Sequence, residues 1–278
     1  ALLQQHSVVP EKQELLTLKE KIGIADETKN YNKIINGHGT GYKPPTEKEW
    51  NALSKNNLLK KITEFDLKTR AGSVDHSQSI HFPPIGSQGS KGSCSSWSAV
   101  YYTATYYNAV RYNTDLSKAA WESSYYGHPS AAYDQYIMSP DFVYLQLNEG
   151  LNQGTSIYDN MRVVNCIGTS SWEKFPYDIS NLTQWAGEAA WREAPKFRLN
   201  WKSDWLMTYQ NNYPWYYLDI STDNAIETIK NLLAAGYLIS FSIDADRFPY
   251  LSEDDVFNNS NYIHLESNHA NTIIGYTD

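Results

Sequence analysis

The stretch that most restricts this chain is Pro83-Pro84-Ile85-Gly86-Ser87-Gln88-Gly89-Ser90-Lys91-Gly92-Ser93-Cys94, followed by Ser95-Ser96-Trp97-Ser98-Ala99-Val100. The paired prolines forbid helix before the loop, and its glycines and serines keep it irregular. Trp97, Tyr101, Ala104 and Tyr107 then recur at helical spacing, which predicts a long helix from Cys94 to about Tyr112 with one face in a core. The loop thus delivers a thiol to a helix N-terminus, where unpaired N–H groups and the helix dipole favour the thiolate. A thiolate is the form that attacks carbonyl carbon.

The rest of the composition narrows the chemistry. The chain has 278 residues, 41% of them hydrophobic, enough for one large domain or two smaller ones. A formal net charge of -8 argues against nucleic acid as a partner. No apolar run approaches the roughly 20 residues a membrane span needs. Neither a metal nor a cofactor is expected: the acids Asp244, Asp246, Glu253, Asp254 and Asp255 lack ligand spacing and read as a solvated loop. Two cysteines, Cys94 and Cys166, exclude a disulfide scaffold, and a bridge between them would consume the thiol. Cys166 reads as a buried small hydrophobe near the end of a helix. The 22 Tyr and 9 Trp, with many Asn-rich loops, lean towards an exported, extracellular or cell-surface protein. The sequons at Asn181 and Asn258 matter only for such a chain.

Local patterns divide the chain at about residue 72. Residues 10 to 22 predict a helix that starts on Pro10 and buries Leu15, Leu18 and Ile22. Thr46 with Glu49 forms a capping box for a second helix, with Trp50 and Leu53 on its apolar side. Residues 1–72 are too poor in apolar material to stand alone, and read equally well as a pro-segment or a structural extension. Residues 73–278 form the main domain. In it, helices are expected after Ser139-Pro140-Asp141, over Ile157 to Cys166, and from Asn224 with Ile226, Ile229, Leu232 and Leu233 buried. Strands are expected over Tyr237 to Ile243 and Ala270 to Tyr276. Helices first and strands last make an α+β pattern with two subdomains.

Cysteine catalysis needs a thiolate, an imidazole beside it, and donors for the developing oxyanion. Gln88, six residues before Cys94, can swing its amide back as one donor, with the Cys94 N–H as another. By itself such a loop can also be a helix-leading turn with no chemistry. Of the seven histidines, His269 opens the last apolar strand and can reach a cleft while held rigidly; His264 is the nearest rival, in a polar loop.

With these motifs the chain resembles the papain-like cysteine peptidases. Gln88 to Cys94 resembles the family's glutamine-to-cysteine loop, and Asn268-His269-Ala270 through Gly275-Tyr276 its histidine motif. Met138-Ser139-Pro140-Asp141-Phe142, Phe175-Pro176-Tyr177 and the strand from Leu238 to Asp244 are similar to landmarks between them. The Val74-Asp75 opening and the run from Phe82 to Gly86 look most like exported bacterial and archaeal members. The resemblance implies a two-subdomain fold, helical on the left and sheet on the right, and a thiol endopeptidase acting on protein or peptide substrates. Cys94 would be its nucleophile, His269 its base and acid, and Gln88 its oxyanion-hole side chain. Gly154 and Thr155 would bind substrate backbone, and Ser242 and Ala270 would line the pocket for the second residue before the scissile bond.

Departures from the family pattern carry expectations of their own. Lys91 stands where the family has a disulfide cysteine, Ser95 where it has a tryptophan, and Thr155 where it has a second glycine. The family's asparagine motif and closing strands would lie beyond Asp278, so a further C-terminal fragment is expected to complete the domain. The competing reading is a non-catalytic or zymogen-like surface module that uses the aromatic segment from Trp185 to Tyr217 for binding.

Overall fold

The computed structural model describes residues 18–55, 59–62, 65–67, 70–123, 127–199, 215–247, 263 and 265–278. The first part of the helix expected over 10–22, Trp201 and Trp205 of the aromatic segment, the acids Glu253, Asp254 and Asp255, the sequon at Asn258 and the rival histidine His264 lie outside them; residues 18–22 are helical.

The element order is β1 (Ile34–Ile35), β2 (His38–Gly39), α1 (Glu47–Lys55), β3 (Leu59–Ile62), β4 (Ser73–Asp75), then a continuous helix over residues 94–112, here α2. There follow β5 (Trp121–Glu122), β6 (His128–Pro129), α3 (Pro140–Leu147), α4 (Ile157–Cys166), α5 (Glu188–Glu193), β7 (Trp215–Leu218), α6 (Ala225–Ala234), β8 (Ile239–Ile243), β9 (His269–Ile273) and β10 (Gly275–Thr277). Among the described residues the strands form two-stranded pairs: β1 with β2, β5 with β6, β8 with β9 and β10 with β4 antiparallel, β3 with β7 parallel. The apolar run from Ala270 to Tyr276 is therefore two strands, because the chain changes partner at Ile274 and pairs Gly275–Thr277 with Ser73–Asp75.

The core gathers around α2. Ala99, Val100 and Ala104 pack with Phe142 and Val143 of α3, Val164 of α4, and Phe175. On the other flank Trp97 and Tyr101 meet Ile137 and Trp172. Each fully buried Val, Leu or Phe contributes about 1.5–3 kcal/mol, so this cluster outweighs anything the short strand pairs can supply. Eight residues of α2, Trp97–Ala104, are π-helical, and the Thr103 hydroxyl donates to the Ser98 carbonyl five residues back at 2.8 Å. The start of α2 is built of small buried residues, Ser95, Ser96, Ser98 and Ala99. They let the sheet approach closely, and the Ser98 hydroxyl donates to the Asn271 carbonyl at 2.9 Å and bonds Thr272 Oγ1 at 2.8 Å. This contact brings β9 to the first turn of α2.

Three expectations need correction. In α6 the buried residues are Ala225, Thr228, Leu232 and Leu233 while Ile226 is exposed, because the helix is rotated by about one residue from the face the isoleucines suggested. Cys166 is half-buried, and both cysteines are free. Asp244 is buried and accepts from the N–H groups of Leu265 and Asp246, so it ties a turn rather than facing water.

Candidate functional site

The loop before Cys94 is clamped from behind. Lys91 and Asp141 are both buried, with Lys91 Nζ 2.6 Å from Asp141 Oδ1. The ammonium also donates to the Asp178 carbonyl at 3.0 Å and lies over the rings of Tyr144 and Tyr177. Asp141 Oδ2 accepts from the Asp178 N–H at 2.9 Å. Burial pushes the Asp141 carboxyl up and the Lys91 ammonium down, each resisted by the other's charge. The Tyr177 hydroxyl donates to the Gln88 carbonyl at 2.8 Å and bonds Ser93 Oγ at 2.7 Å. Loop, α3 and the Phe175-Pro176-Tyr177 turn are thereby held in one register.

Cys94 is the first residue of α2 and fully buried, and the Ala270 N–H donates to its sulfur at 3.4 Å. His269, one residue earlier on β9, is thus beside the thiol-bearing turn. Burial pushes the Cys94 thiol up to about 12 and the His269 imidazole down to about 4, the latter with help from His38. His269 Nδ1 is buried without a hydrogen-bond partner. Burial thus disfavours the charged form of both groups.

Two residues of the N-terminal region contribute to this environment, Tyr42 packed on Cys94 and His38 close to His269. Asn36-Gly37 makes a two-residue hairpin turn between β1 and β2, with φ of 51° and 84° as a primed turn requires. The hairpin leads residues 39–43 across the cleft as a strap. Gln88 Nε2 donates to the Gly39 carbonyl at 2.8 Å and the Lys91 carbonyl at 2.9 Å, so its amide is already occupied. The N–H groups of Gly41 and Tyr42 both reach the Asn268 carbonyl, at 3.1 and 3.0 Å. Thr155 donates to the Gly41 carbonyl at 2.9 Å and accepts from the Lys43 N–H at 3.0 Å, a parallel bridge. The Tyr42 ring packs with Cys94, Ala270 and Ile157. Gly41 permits the approach: at φ of 119°, a Cβ there would lie 2.2 Å from the Gly92 carbonyl oxygen. Gly154 faces the strap from the other side, where a Cβ would sit 2.3 Å from the Gly41 carbonyl oxygen.

The strap is anchored by α1, whose Trp50 and Leu53 pack with Tyr158 of α4 and Tyr217 of β7. Its capping box forms as expected, Thr46 N–H to Glu49 at 2.6 Å and Glu49 N–H to Thr46 Oγ1 at 3.3 Å. The Glu49 carboxylate also meets Asp159 of α4, where Ser156 Oγ donates at 2.8 Å and Arg162 lies 3.9 Å away. Burial and the neighbouring Glu49 carboxyl push the Asp159 carboxyl up while hydrogen bonds hold Glu49 down, so the docked pair retains one proton that two separated carboxyls would lose. A carboxyl raised in the docked form and ordinary in the released form binds its proton more tightly when docked. Docking is therefore unpenalised below the ordinary carboxylate value and weakens as pH rises above it, until the raised carboxyl has also lost its proton. The melting midpoint of the wild type is expected to fall relative to that of Asp159→Asn between pH 5 and pH 8; parallel profiles would contradict this.

Cys94, Gln88, Gly154, Thr155 and Ala270 all contact residues 39–43, and Ser242 is the β8 register partner of Ala270 beside His269. An open cavity of about 350 Å³ is lined by Gln88, His269 and Ala270 together with Phe82, Trp97 and Tyr102 among others. Sequence reading missed the strap, His38 and Tyr42, and the Lys91–Asp141 pair. Asn36-Gly37 was a legible signal for the hairpin; nothing local indicated where it would dock. Among the described residues no cluster of metal-ligating side chains occurs, and no helix is long and apolar enough to cross a membrane.

No protein-family model and no curated protein matches the sequence. Among solved structures, the chain is similar to xylellain, a cysteine protease from Xylella fastidiosa, at 14% identity and a TM-score of 0.51, over 92% of this chain and 84% of that one. Digestive procathepsin L 3 of Tenebrio molitor matches at 16% identity and a TM-score of 0.47, over 84% of this chain and 64% of that one. A structure from work on the mite allergens Blo t 1 and Der p 1 matches at 15% and 0.46, over 96% and 77%. The chain has the papain-like, α+β cysteine protease fold.

Proposed function

We propose that this chain is a latent thiol endopeptidase whose residues 39–43 mask its own cleft. The observation that carries the reading is convergence: one short strap engages the Gln88 amide, the Thr155 backbone, the Asn268 carbonyl and the pocket beside Cys94. These are the groups a bound peptide would need.

When the strap leaves, water and substrate polarity lift the desolvation that holds both groups neutral. His269 then takes the thiol proton, and the Cys94 thiolate attacks the peptide carbonyl. The oxyanion forms where the freed Gln88 amide and the Cys94 N–H can donate to it. The imidazolium gives its proton to the leaving amine, whose chain occupies the cavity that His269 lines. Water, deprotonated by His269, then attacks the thioester, and the acid product leaves as Cys94 takes back the proton. Only a donor present where charge develops accelerates the step, so an amide locked on the Gly39 carbonyl contributes nothing until the strap is displaced.

The test is amide hydrolysis by strap-released protein. Cys94→Ala should abolish it, and His269→Ala should lower kcat by about 100-fold or more, the usual scale for a general base. Hydrolysis that survives Cys94→Ala would overturn the reading. No hydrolysis by any released form would favour the competing one, a papain-like scaffold kept for binding.

A further inference from the structure

Cys94, Ser95 and Ser96 open α2 and are all buried. Successive helical residues point about 100° apart, so each meets a different neighbour. Cys94 takes the Ala270 N–H of β9 at 3.4 Å. The Ser95 hydroxyl donates to the Thr155 carbonyl at 2.7 Å. The Ser96 hydroxyl donates to Asn160 Oδ1 on α4. The Asn160 amide in turn gives one hydrogen to Thr155 Oγ1 at 2.8 Å and the other to the Ser156 carbonyl at 2.7 Å. The thiol-bearing turn is thereby tied to Thr155 twice, directly by Ser95 and through Ser96 and Asn160. Thr155, Ser156 and Asn160 are buried as well, where a network with every donor used is rigid.

Thr155 needs such support. It lies in a single bridge and in no strand, and its N–H and carbonyl are the groups that hold the Gly41 carbonyl and the Lys43 N–H of the strap. A lone bridge residue has no ladder to aim its peptide groups, so their direction is set by what grips the residue from behind. The Thr155 carbonyl takes Ser95 on one lone pair and the strap on the other. Both grips use side-chain oxygens that the peptidase pattern lacks, since it has tryptophan in place of Ser95 and glycine in place of Thr155.

Resting on the peptidase reading, we propose that Ser95 and Asn160 are positioning residues, which hold the Thr155 N–H and carbonyl in fixed register with Cys94 so that any peptide backbone docked there, strap or substrate, is aligned with the sulfur. Backbone docking at Thr155 is the same before and during the chemical step, so its loss should appear in KM and not in kcat. One neutral hydrogen bond corresponds to about 3–10-fold.

Two measurements on the full chain test this. The first is peptide hydrolysis in the chain opened by Gly41→Val. Ser95→Ala and Thr155→Val should each raise KM by about 3–10-fold with a smaller change in kcat. Thr155→Ser, which keeps the hydroxyl for Asn160, should recover most of what Thr155→Val loses. Adding Thr155→Val to Asn160→Ala should raise KM little further, because the two remove one shared contact. A lower melting temperature with KM unchanged, a loss confined to kcat, or fully additive effects of Thr155→Val and Asn160→Ala would overturn the proposal. The second uses the strap as the docked peptide and alkylation of Cys94 by iodoacetamide as the readout. Thr155→Val should speed alkylation by about 3–10-fold in the chain with Gly41 and leave it nearly unchanged in Gly41→Val. Equal acceleration in both backgrounds, or none in either, would overturn it. Because this second readout needs no turnover, it decides the positioning role even if no peptide is cleaved, an outcome that would sink the peptidase reading alone.

Discussion

Replacing Gly41 with valine is expected to raise peptide hydrolysis by about 10–100-fold over the wild-type chain. The reason is steric. A Cβ at position 41 would meet the Gly92 carbonyl oxygen at 2.2 Å and the Gly92 Cα at 2.7 Å, backbone atoms that cannot swing aside. The φ of 119° adds strain for any residue with a side chain. Overpacking of this kind costs about 1–3 kcal/mol. In most proteins that penalty falls on folding, but here it falls on docking of a strap, because the clash is between strap and loop and not within the domain core. The docked fraction drops, the Gln88 amide comes off the Gly39 carbonyl, and the pocket beside Cys94 empties. A gain of activity is a stringent result, since most substitutions at a site lower it. If Gly41→Val hydrolyses peptide no faster than the wild type while melting at a similar temperature, the strap is not what restrains the site.

Replacing Lys91 with methionine should destabilise the protein by about 3–5 kcal/mol, because it strands a buried carboxylate. Asp141 is 1% exposed and receives its two hydrogen bonds from Lys91 and the Asp178 N–H. Losing the ammonium leaves burial unopposed, so the Asp141 carboxyl must take up a proton or draw in water. Asp141→Leu alone should cost a similar amount by leaving the Lys91 ammonium unpaired among Tyr144 and Tyr177. The double variant Lys91→Met with Asp141→Leu should recover much of the loss, since replacing both members of a buried pair with apolar residues is often neutral. Urea unfolding of the four proteins measures this. Near-zero cost for both single variants would mean that the pair does not hold the loop.

How much of this was legible in the sequence varies with the range of the interaction responsible. The α2 helix, the capping box at Thr46 and Glu49, and the Ile157–Cys166 helix rest on contacts a few residues apart, and local sequence pattern found all three. The face of α6 was misjudged because Ile226 is 66% exposed, and an apolar residue on a helix need not be inside. The break at Ile274 was invisible because it is set by the arrival of Val74 and Asp75, nearly 200 residues away in the chain. For the site, the Gln88–Cys94 loop and the strand opening on His269 were readable as motifs. The strap was not, because its docking depends on Gly41, Gly92 and Gly154 meeting across three distant segments. Lys91 was noted as a missing cysteine; its meaning lay in Asp141, 50 residues on, which local reading had assigned to a helix start.

The central claim is that Cys94 is a nucleophile activated by His269 and silenced by the strap. The most direct measurement is the rate at which iodoacetamide alkylates Cys94 at pH 7, followed by peptide mapping, in the wild type, in Gly41→Val, and in Gly41→Val with His269→Ala. With the thiol at about 12 the wild type should react slowly. Gly41→Val should react at least about tenfold faster, and His269→Ala should return it towards the slow rate, because the thiolate then loses its partner. Equal rates in all three proteins, or labelling of half-buried Cys166 as fast as Cys94 in Gly41→Val, would contradict the account.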